Sequence, residues 1–300
     1  MRIAVFRAEG KTHIGVVDED RRTIAPFEIS EEQATRGVCA LFEYGQRLPQ
    51  TSKPLAIDLV QLVAPIPRPS RNIFCVGKNY VEHAREFAGS GFDSGAAEGV
   101  IPDAPIVFTK VPESVVAAGE PIMIDPQVST AIDYEAELGV IVGKEGRSIP
   151  PERALEYVWG YTIINDVTAR DIQARHKQWL LGKSLDTFCP MGPWVSTADE
   201  LDLRDTSIRC WVNGELRQNA NTKDLIFGVA ELISAISRGI TLRAGDVIAT
   251  GTPSGVGIGF VPPRYLCAGD QVRIEIGGIG VLENPVCLIP TNKLSAAAQR

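Results

Sequence analysis

Histidine is scarce in this chain and cysteine is scattered. Only His13, His83 and His176 occur in 300 residues, which excludes a histidine-rich metal site. The six cysteines, Cys39, Cys75, Cys189, Cys210, Cys267 and Cys287, form no C-x-x-C pair and are expected to be free, buried thiols of a reducing compartment. No apolar run approaches membrane-spanning length, and Met1 to Phe6 runs straight into a strand-like pattern without a signal-peptide core, so a cytoplasmic protein is expected. Excess positive charge is absent too: the net charge is −7 and the pI near 5.2, which argues against nucleic acid or an anionic membrane as partner. A chain of this length can bury a substantial core, as one large domain or a large plus a small one.

Residues 2 to 27 alternate as short strands, and Ser30-Glu31-Glu32-Gln33 has capping-box spacing for a short helix ending before Gly45. Pro65, Pro67 and Pro69 mark a linker. Residues 1–66 therefore read as a small α+β unit that covers an edge or one end of a main domain at 70–288, with a tail at 289–300. Ile73 to Val76 is strand-like, and Asn79 has the spacing to cap a helix carrying His83 and Glu86, three apart and so on one face. That pair is either a general-base dyad or a solvated surface pair. The glycine-rich stretch 89–104 reads as a lid or an inert loop. Apolar positions from Leu225 to Ile236 recur at helical spacing. Gln271 to Leu282, turning at Gly277-Gly278, forms a hairpin.

The carboxylates carry the most information. In the strand-like run Asp133 to Val142, Glu135 and Glu137 share a face about 6.5 Å apart. The apolar run from Tyr161 to Ile164 ends in Asn165-Asp166, and Asp166 can close a three-carboxylate cluster. All-oxygen donors favour Mg²⁺, Mn²⁺ or Ca²⁺ over zinc. The alternative is that the glutamates line a wet strand face and Asp166 caps a helix. Gln173 lies about two helical turns beyond Asp166 and can face the same cavity. Leu181-Gly182-Lys183-Ser184 is no P-loop, because Lys177 stands where a glycine is required; Lys183 is either an electrophilic ammonium beside the metal or a surface charge. Thr250 to Gly257 lacks dinucleotide-fingerprint spacing. Its glycines can let backbone N–H groups and Thr252 approach a substrate carboxylate, or form a plain turn.

Five segments in order resemble the fumarylacetoacetate hydrolase (FAH) family from about Asn72 to Val286: Val76-Gly77-Lys78-Asn79-Tyr80 with His83 and Glu86, Asp133 to Gly139, Asn165 to Gln173, Leu181 to Ser184, and Thr250 to Gly257. The resemblance implies a mixed β-sandwich or roll and a homodimer, where periodicity alone gives a β-rich α+β domain. It implies Mg²⁺ or Mn²⁺ on Glu135, Glu137 and Asp166, catalysis by His83, Glu86 and Lys183, and substrate binding by Arg170, Gln173, Lys183 and Thr252. Some members add a fourth carboxylate upstream of the histidine, which Phe74-Cys75-Val76-Gly77 lacks; this argues against fumarylacetoacetate itself and for smaller 2-oxo acids. Lys177 to Pro190 also resembles the "domain-containing protein 2" branch, for which oxaloacetate chemistry is implied. The expected activity is hydrolysis of the C–C bond of a 2,4-dioxo acid to pyruvate plus a carboxylic acid. The alternatives are oxaloacetate decarboxylation, its keto–enol tautomerisation, 2-hydroxymuconate-type isomerisation, or binding of metal or 2-oxo acid without turnover.

Overall fold

The computed structural model describes residues 1–45, 47–89 and 101–290, with backbone alone at 87–89. Most of the stretch expected as a lid, and the tail after Pro290, lie outside the described residues. Among those residues, strands build two large packed sheets and a two-stranded one, Ile132–Asp133 with Thr168–Ala169. The larger runs Leu55–Ala56, Thr23–Pro26, Lys11–Asp18, Arg2–Ala8, Cys189–Thr197, Val158–Asn165, Ala136–Val142, Val247–Ala249, Ile73–Gly77, Ile106–Lys110. The smaller runs Glu215–Asn221, Ser207–Val212, Gln271–Ile276, Gly280–Leu288, Ile122–Ile124. Together with short helices this is the β-rich α+β sandwich that the motifs imply.

At the centre, Ala136–Val142 is buried along its whole length between Val158–Asn165 and Val247–Ala249. Such a strand reads as a nearly continuous apolar run because both its faces are covered. Leu138, Val140 and Val142 join one core with Cys210, Ile274 and Leu282 of the smaller sheet. Ile141 points the other way, into a core shared with Val5, Val38 and Leu41 near the N-terminus. The second face is therefore dry, and Glu135 and Glu137 cannot be the wet side of a half-exposed strand.

Residues 1–66 are continuous with the large sheet, since Arg2 and Ile3 pair with Ser196 and Val195. The proline segment is packed: Pro65 and Ile66 are buried, and the Val38 N–H donates to the Pro65 carbonyl at 2.9 Å. Ser30 caps the helix Glu31–Ala34 with both bonds of the expected capping box. The helix Val229–Ser237 buries Val229, Leu232, Ile233 and Ile236, one stripe at helical period. Two expectations need correction. The helix Val81–Gly89 begins one residue beyond the position Asn79 would cap, and the Asn79 side-chain oxygen, the atom a cap would use, accepts from the Phe227 N–H at 2.8 Å, while its NH₂ donates to the carbonyls of Thr250 at 2.7 Å and Phe227 at 3.0 Å. The thiols are not uniformly buried, for Cys267 is exposed and Cys39 and Cys287 are intermediate.

Candidate active site

Glu135 precedes the central strand, Glu137 lies within it, and Asp166 follows the neighbouring strand. Ala136 pairs with Asn165, the Asp166 N–H donates to the Glu135 carbonyl at 2.9 Å, and the Glu135 N–H donates to the Asn165 side chain at 3.1 Å. Two strand ends are thereby locked in register with their acids on one side. One carboxylate oxygen from each of Glu135, Glu137 and Asp166 lies within 4.8 Å of the others, all three residues buried.

Three buried cations surround them. Lys183 Nζ lies 2.7 Å from Glu135 Oε2 and 2.8 Å from Asp166 Oδ2. Arg170 Nη1 lies 2.7 Å from Glu135 Oε1, and its Nε 2.9 Å from Asp133 Oδ2. Lys110 Nζ donates to Asp166 Oδ1 at 2.6 Å and to the carbonyls of Val167 and Lys183. Burial alone would lift the Glu135 pKa, but Lys183 and Arg170 outweigh it and hold the carboxyl at about 2. Burial, then Asp166 and Glu135, push Glu137 the other way, well above the usual carboxylate range. Its Oε2 accepts the Gly251 N–H at 2.8 Å, while Oε1 is buried with no hydrogen-bond partner among the described residues.

A hard divalent cation fits this donor set. The formal charges of Asp133, Glu135, Glu137 and Asp166 exceed those of Lys110, Arg170 and Lys183 by one negative charge, and one Glu137 oxygen is buried with no hydrogen-bond partner among the described residues. Buried charge of that kind is stable only when neutralised, by a proton or by a metal.

On the helix Val81–Gly89, His83 Nδ1 and Glu86 Oε2 are 3.2 Å apart, and His83 is buried. Glu86 Oε1 accepts the Gly255 N–H at 3.0 Å, an approach open because a Cβ on Gly259 would collide with the Glu86 carboxylate. The loop after the strand Val247–Ala249 therefore serves a purpose the sequence did not disclose. Its N–H groups at Gly251, Gly255, Gly257 and Ile258 bind Glu137, Glu86 and Asp133, the protein's own acids, instead of a substrate carboxylate. Thr252 remains on the cleft wall, its hydroxyl accepting from Gln218 Nε2 at 2.7 Å.

These groups meet at a narrow cleft whose wall includes His83, Glu135, Arg170, Gln173, Lys183 and Thr252. Gly182 makes the meeting possible: a Cβ there would stand 2.6 Å from the Gln173 backbone nitrogen, so only glycine lets the helices Arg170–His176 and Leu180–Lys183 approach closely enough for both side chains to face one space. Sequence reasoning missed Lys110, Asp133 and Gln218. Lys110 ends an otherwise ordinary strand, and nothing in the local pattern marks its side chain as buried. Asp133 opens the glutamate segment and shares the parity of Glu135 and Glu137, a signal that was available.

Fold and site together define a class, a β-sandwich enzyme centred on buried carboxylates beside a His–Glu pair. Residues 72–287 match the family model for the fumarylacetoacetate (FAA) hydrolase C-terminal region, and the chain belongs to that family. It is 50% identical over 232 residues, 77% of this chain and 74% of the relative, to oxaloacetate tautomerase YisK of Bacillus subtilis. It is 39% identical over 299 residues, 95% of this chain and 90% of the relative, to the mitochondrial oxaloacetate tautomerase fahd2 of Xenopus laevis. Among solved structures it resembles a fumarylacetoacetate hydrolase from psychrophilic Exiguobacterium antarcticum, with a TM-score of 0.82 and 40% identity over 96% of this chain and 100% of that one. A 5-carboxymethyl-2-hydroxymuconate delta-isomerase from Mycobacterium smegmatis gives 0.77 and 32%, again over 96% and 100%. No helix among the described residues is long and apolar enough to cross a membrane.

Proposed function

We propose that this protein interconverts the keto and enol forms of oxaloacetate with Mg²⁺ or Mn²⁺ held by Glu135, Glu137 and Asp166. The observation that carries the reading is the likeness to two oxaloacetate tautomerases, one at 50% identity over 77% of the chain and one spanning 95% of it. It moves the weight from hydrolysis of a 2,4-dioxo acid, the activity first expected from the motifs, to the tautomerase alternative. Both reactions pass through a 2-oxo acid enolate.

When bound, the cation supplies charge stabilisation at the 2-oxo oxygen. The rest falls to the chain's own groups. Glu86 on Nδ1 of His83 favours the tautomer protonated there, so Nε2 carries the lone pair that takes a proton from C3. The C3–H bond breaks, its electron pair forms the C2–C3 double bond, and the oxygen at C2 accepts the proton. Lys183, kept cationic because Asp166 and Glu135 overcome the effect of burial, holds the negative charge that builds on that oxygen. Arg170 braces Glu135, and Gln173 and Thr252 orient the substrate against the wall.

The test is a side-by-side assay with Mg²⁺. Tautomerisation changes the enol absorbance without releasing pyruvate; decarboxylation yields pyruvate and CO₂; hydrolysis of an acylpyruvate yields pyruvate and an acid. The His–Glu pair serves water activation as well as proton transfer, and a solved relative at 40% identity is a fumarylacetoacetate hydrolase, so hydrolysis is the second reading. Accelerated enol decay with no pyruvate supports the tautomerase; pyruvate from acylpyruvate alone replaces it with the hydrolase.

A further inference from the structure

We propose that Gln218 is a positioning residue for substrate binding: it occupies an acceptor site of the Thr252 hydroxyl, so that the hydrogen of that hydroxyl is delivered to the carboxylate of a bound 2-oxo acid. The inference rests on a 2-oxo acid as substrate, which the tautomerase and hydrolase readings share, and otherwise on bonds within this chain.

Gln218 is out of character with its strand. Within Glu215–Asn221 it alone is buried, and completely so. A buried primary amide is tolerated only when its donors and acceptor are answered. The register shows how the side chain comes to point inward. Cys210 pairs with Gln218 but Trp211 pairs with Leu216, so Arg217 is the extra residue of a β-bulge, a device that re-aims side chains beside active sites. The loop after Val247–Ala249 packs directly on that bulge, since Gly255 has φ of 98° and a Cβ there would collide with the Arg217 carbonyl. That strand follows the central one only as far as Ala249 opposite Gly139, where the next residue, Thr250, donates its N–H to the Leu138 carbonyl at 3.0 Å. Past this point the Ala136 N–H, which lies between Glu135 and Glu137, is answered by a side chain: it donates to Gln218 Oε1 at 3.0 Å.

Three contacts then decide where the hydroxyl hydrogen goes. The Ala136 N–H can only donate, so the atom facing it is the amide oxygen. The Pro253 carbonyl can only accept, so the atom facing it at 2.7 Å is the amide nitrogen. Both backbone groups demand the same orientation of the amide. Its nitrogen also lies 2.7 Å from Thr252 Oγ1, and an amide nitrogen is a donor only. Thr252 therefore accepts from Gln218, and its own hydrogen points elsewhere. Among the described residues no protein acceptor takes that hydrogen, while Thr252 is 2% exposed and lines the cleft. The hydroxyl stands at the metal end, because the preceding residue, Gly251, holds Glu137 through its N–H at 2.8 Å. The substrate group that belongs there is the carboxylate shared by every 2-oxo acid, which accepts hydrogen bonds and donates none. A donor aimed before binding spares the complex the cost of ordering it.

The experiment is calorimetry of oxalate, an analogue of the 2-oxo carboxylate, binding to the full chain with Mg²⁺ in a double-mutant cycle of Thr252→Val and Gln218→Glu. With glutamine at 218, Thr252→Val is expected to raise the Kd for oxalate about thirtyfold, the value of a bond to a charged acceptor, and Thr252→Ser, which keeps the hydroxyl, to stay within about threefold of wild type. In Gln218→Glu the new carboxylate still accepts from Ala136 but, once ionised, has no hydrogen for Thr252, so the hydroxyl turns inward to donate to it. In that background Thr252→Val is expected to change Kd by less than about threefold. Both proteins in this comparison carry the introduced charge, so its repulsion of oxalate cancels. A Thr252→Val effect that stays near thirtyfold beside Gln218→Glu overturns the proposal, as does one below about threefold with glutamine in place. A Gln218 that merely braced the fold would lower Tm on substitution yet leave the Thr252→Val ratio equal in both backgrounds. If Gln218→Glu does not fold, Gln218→Met, similar in length and without a donor, takes its place and is expected to shrink the Thr252→Val effect below about tenfold; an undiminished effect again overturns the proposal. Coupling in the cycle without tautomerisation of oxaloacetate upholds the positioning role and rejects only the reaction, whereas a wild type that binds no oxalate overturns the proposal whatever the reaction.

Discussion

Changing Glu137 to Gln should stabilise the metal-free protein and abolish its stabilisation by Mg²⁺. Glu137 Oε2 is bonded to Gly251 N–H at 2.8 Å, while Oε1 is buried without a partner and the carboxyl is pushed up by burial, Asp166 and Glu135. A glutamine keeps the first bond through its carbonyl oxygen and sets an uncharged NH₂ where the unpartnered oxygen stood, relieving the repulsion by Asp166 and Glu135 that pushes this carboxyl up. An unsatisfied buried acceptor costs about 1–3 kcal/mol. At roughly 2 °C per kcal/mol for a chain of this length, the metal-free Tm should rise by about 2–6 °C. Wild type at a hundredfold excess of Mg²⁺ over Kd gains about 2.7 kcal/mol, or about 5 °C; the variant has lost a ligand and should gain almost nothing. The assay is a pair of thermal melts, with chelator and with Mg²⁺, at one scan rate. A variant that melts several degrees lower without metal, or still shifts with Mg²⁺, would refute the assignment of Glu137 as a ligand held under charge stress.

Further outcomes follow from the geometry. Gly251→Ala should lower Tm by several degrees and weaken Mg²⁺ binding, because φ is 100° and a Cβ would stand 2.7 Å from that of Asn79; unchanged melts would contradict it. Glu86→Gln should cut turnover by about 10²-fold with little change in Mg²⁺ affinity, since it acts through His83; an equal loss of metal affinity would place it elsewhere. Cys75, Cys189 and Cys210 should resist a neutral thiol reagent that labels Cys267 in the native protein. Burial raises all three, Cys189 to about 12, so the folded state keeps protons the unfolded chain loses above about pH 8.5. Their contribution is full below that pH and fades as pH rises, by about 1.4 kcal/mol per thiol per unit; urea midpoints at pH 8 and 10 should show the fall, and a Cys75→Ala, Cys189→Ala, Cys210→Ala variant should flatten it. Deleting residues 1–66 should give insoluble protein, because it unpairs the edge of Cys189–Thr197 that Arg2 and Ile3 now cover.

Period-two alternation placed Glu135 and Glu137 on one side, and the i,i+3 spacing paired His83 with Glu86, because both arguments are local. The capping box at Ser30 and the hairpin at Gly277-Gly278 were legible for the same reason. What escaped was set by partners distant in sequence. Asn79 looked like a helix cap until Thr250 and Phe227 claimed it; Lys110 looked like any strand-end lysine until the carbonyls of Val167 and Lys183 closed over it. The amides of Gly255 and Gly257 looked available to a ligand, and only the fold brings Glu86 and Asp133 beneath them.

Asp133 has the longest reach. Its two oxygens accept from Gly257 and Ile258 on one side and from Arg170 on the other, so a single side chain hinges the loop that holds Glu86 to the guanidinium that holds Glu135. Disturbance on either side of this hub is felt on both.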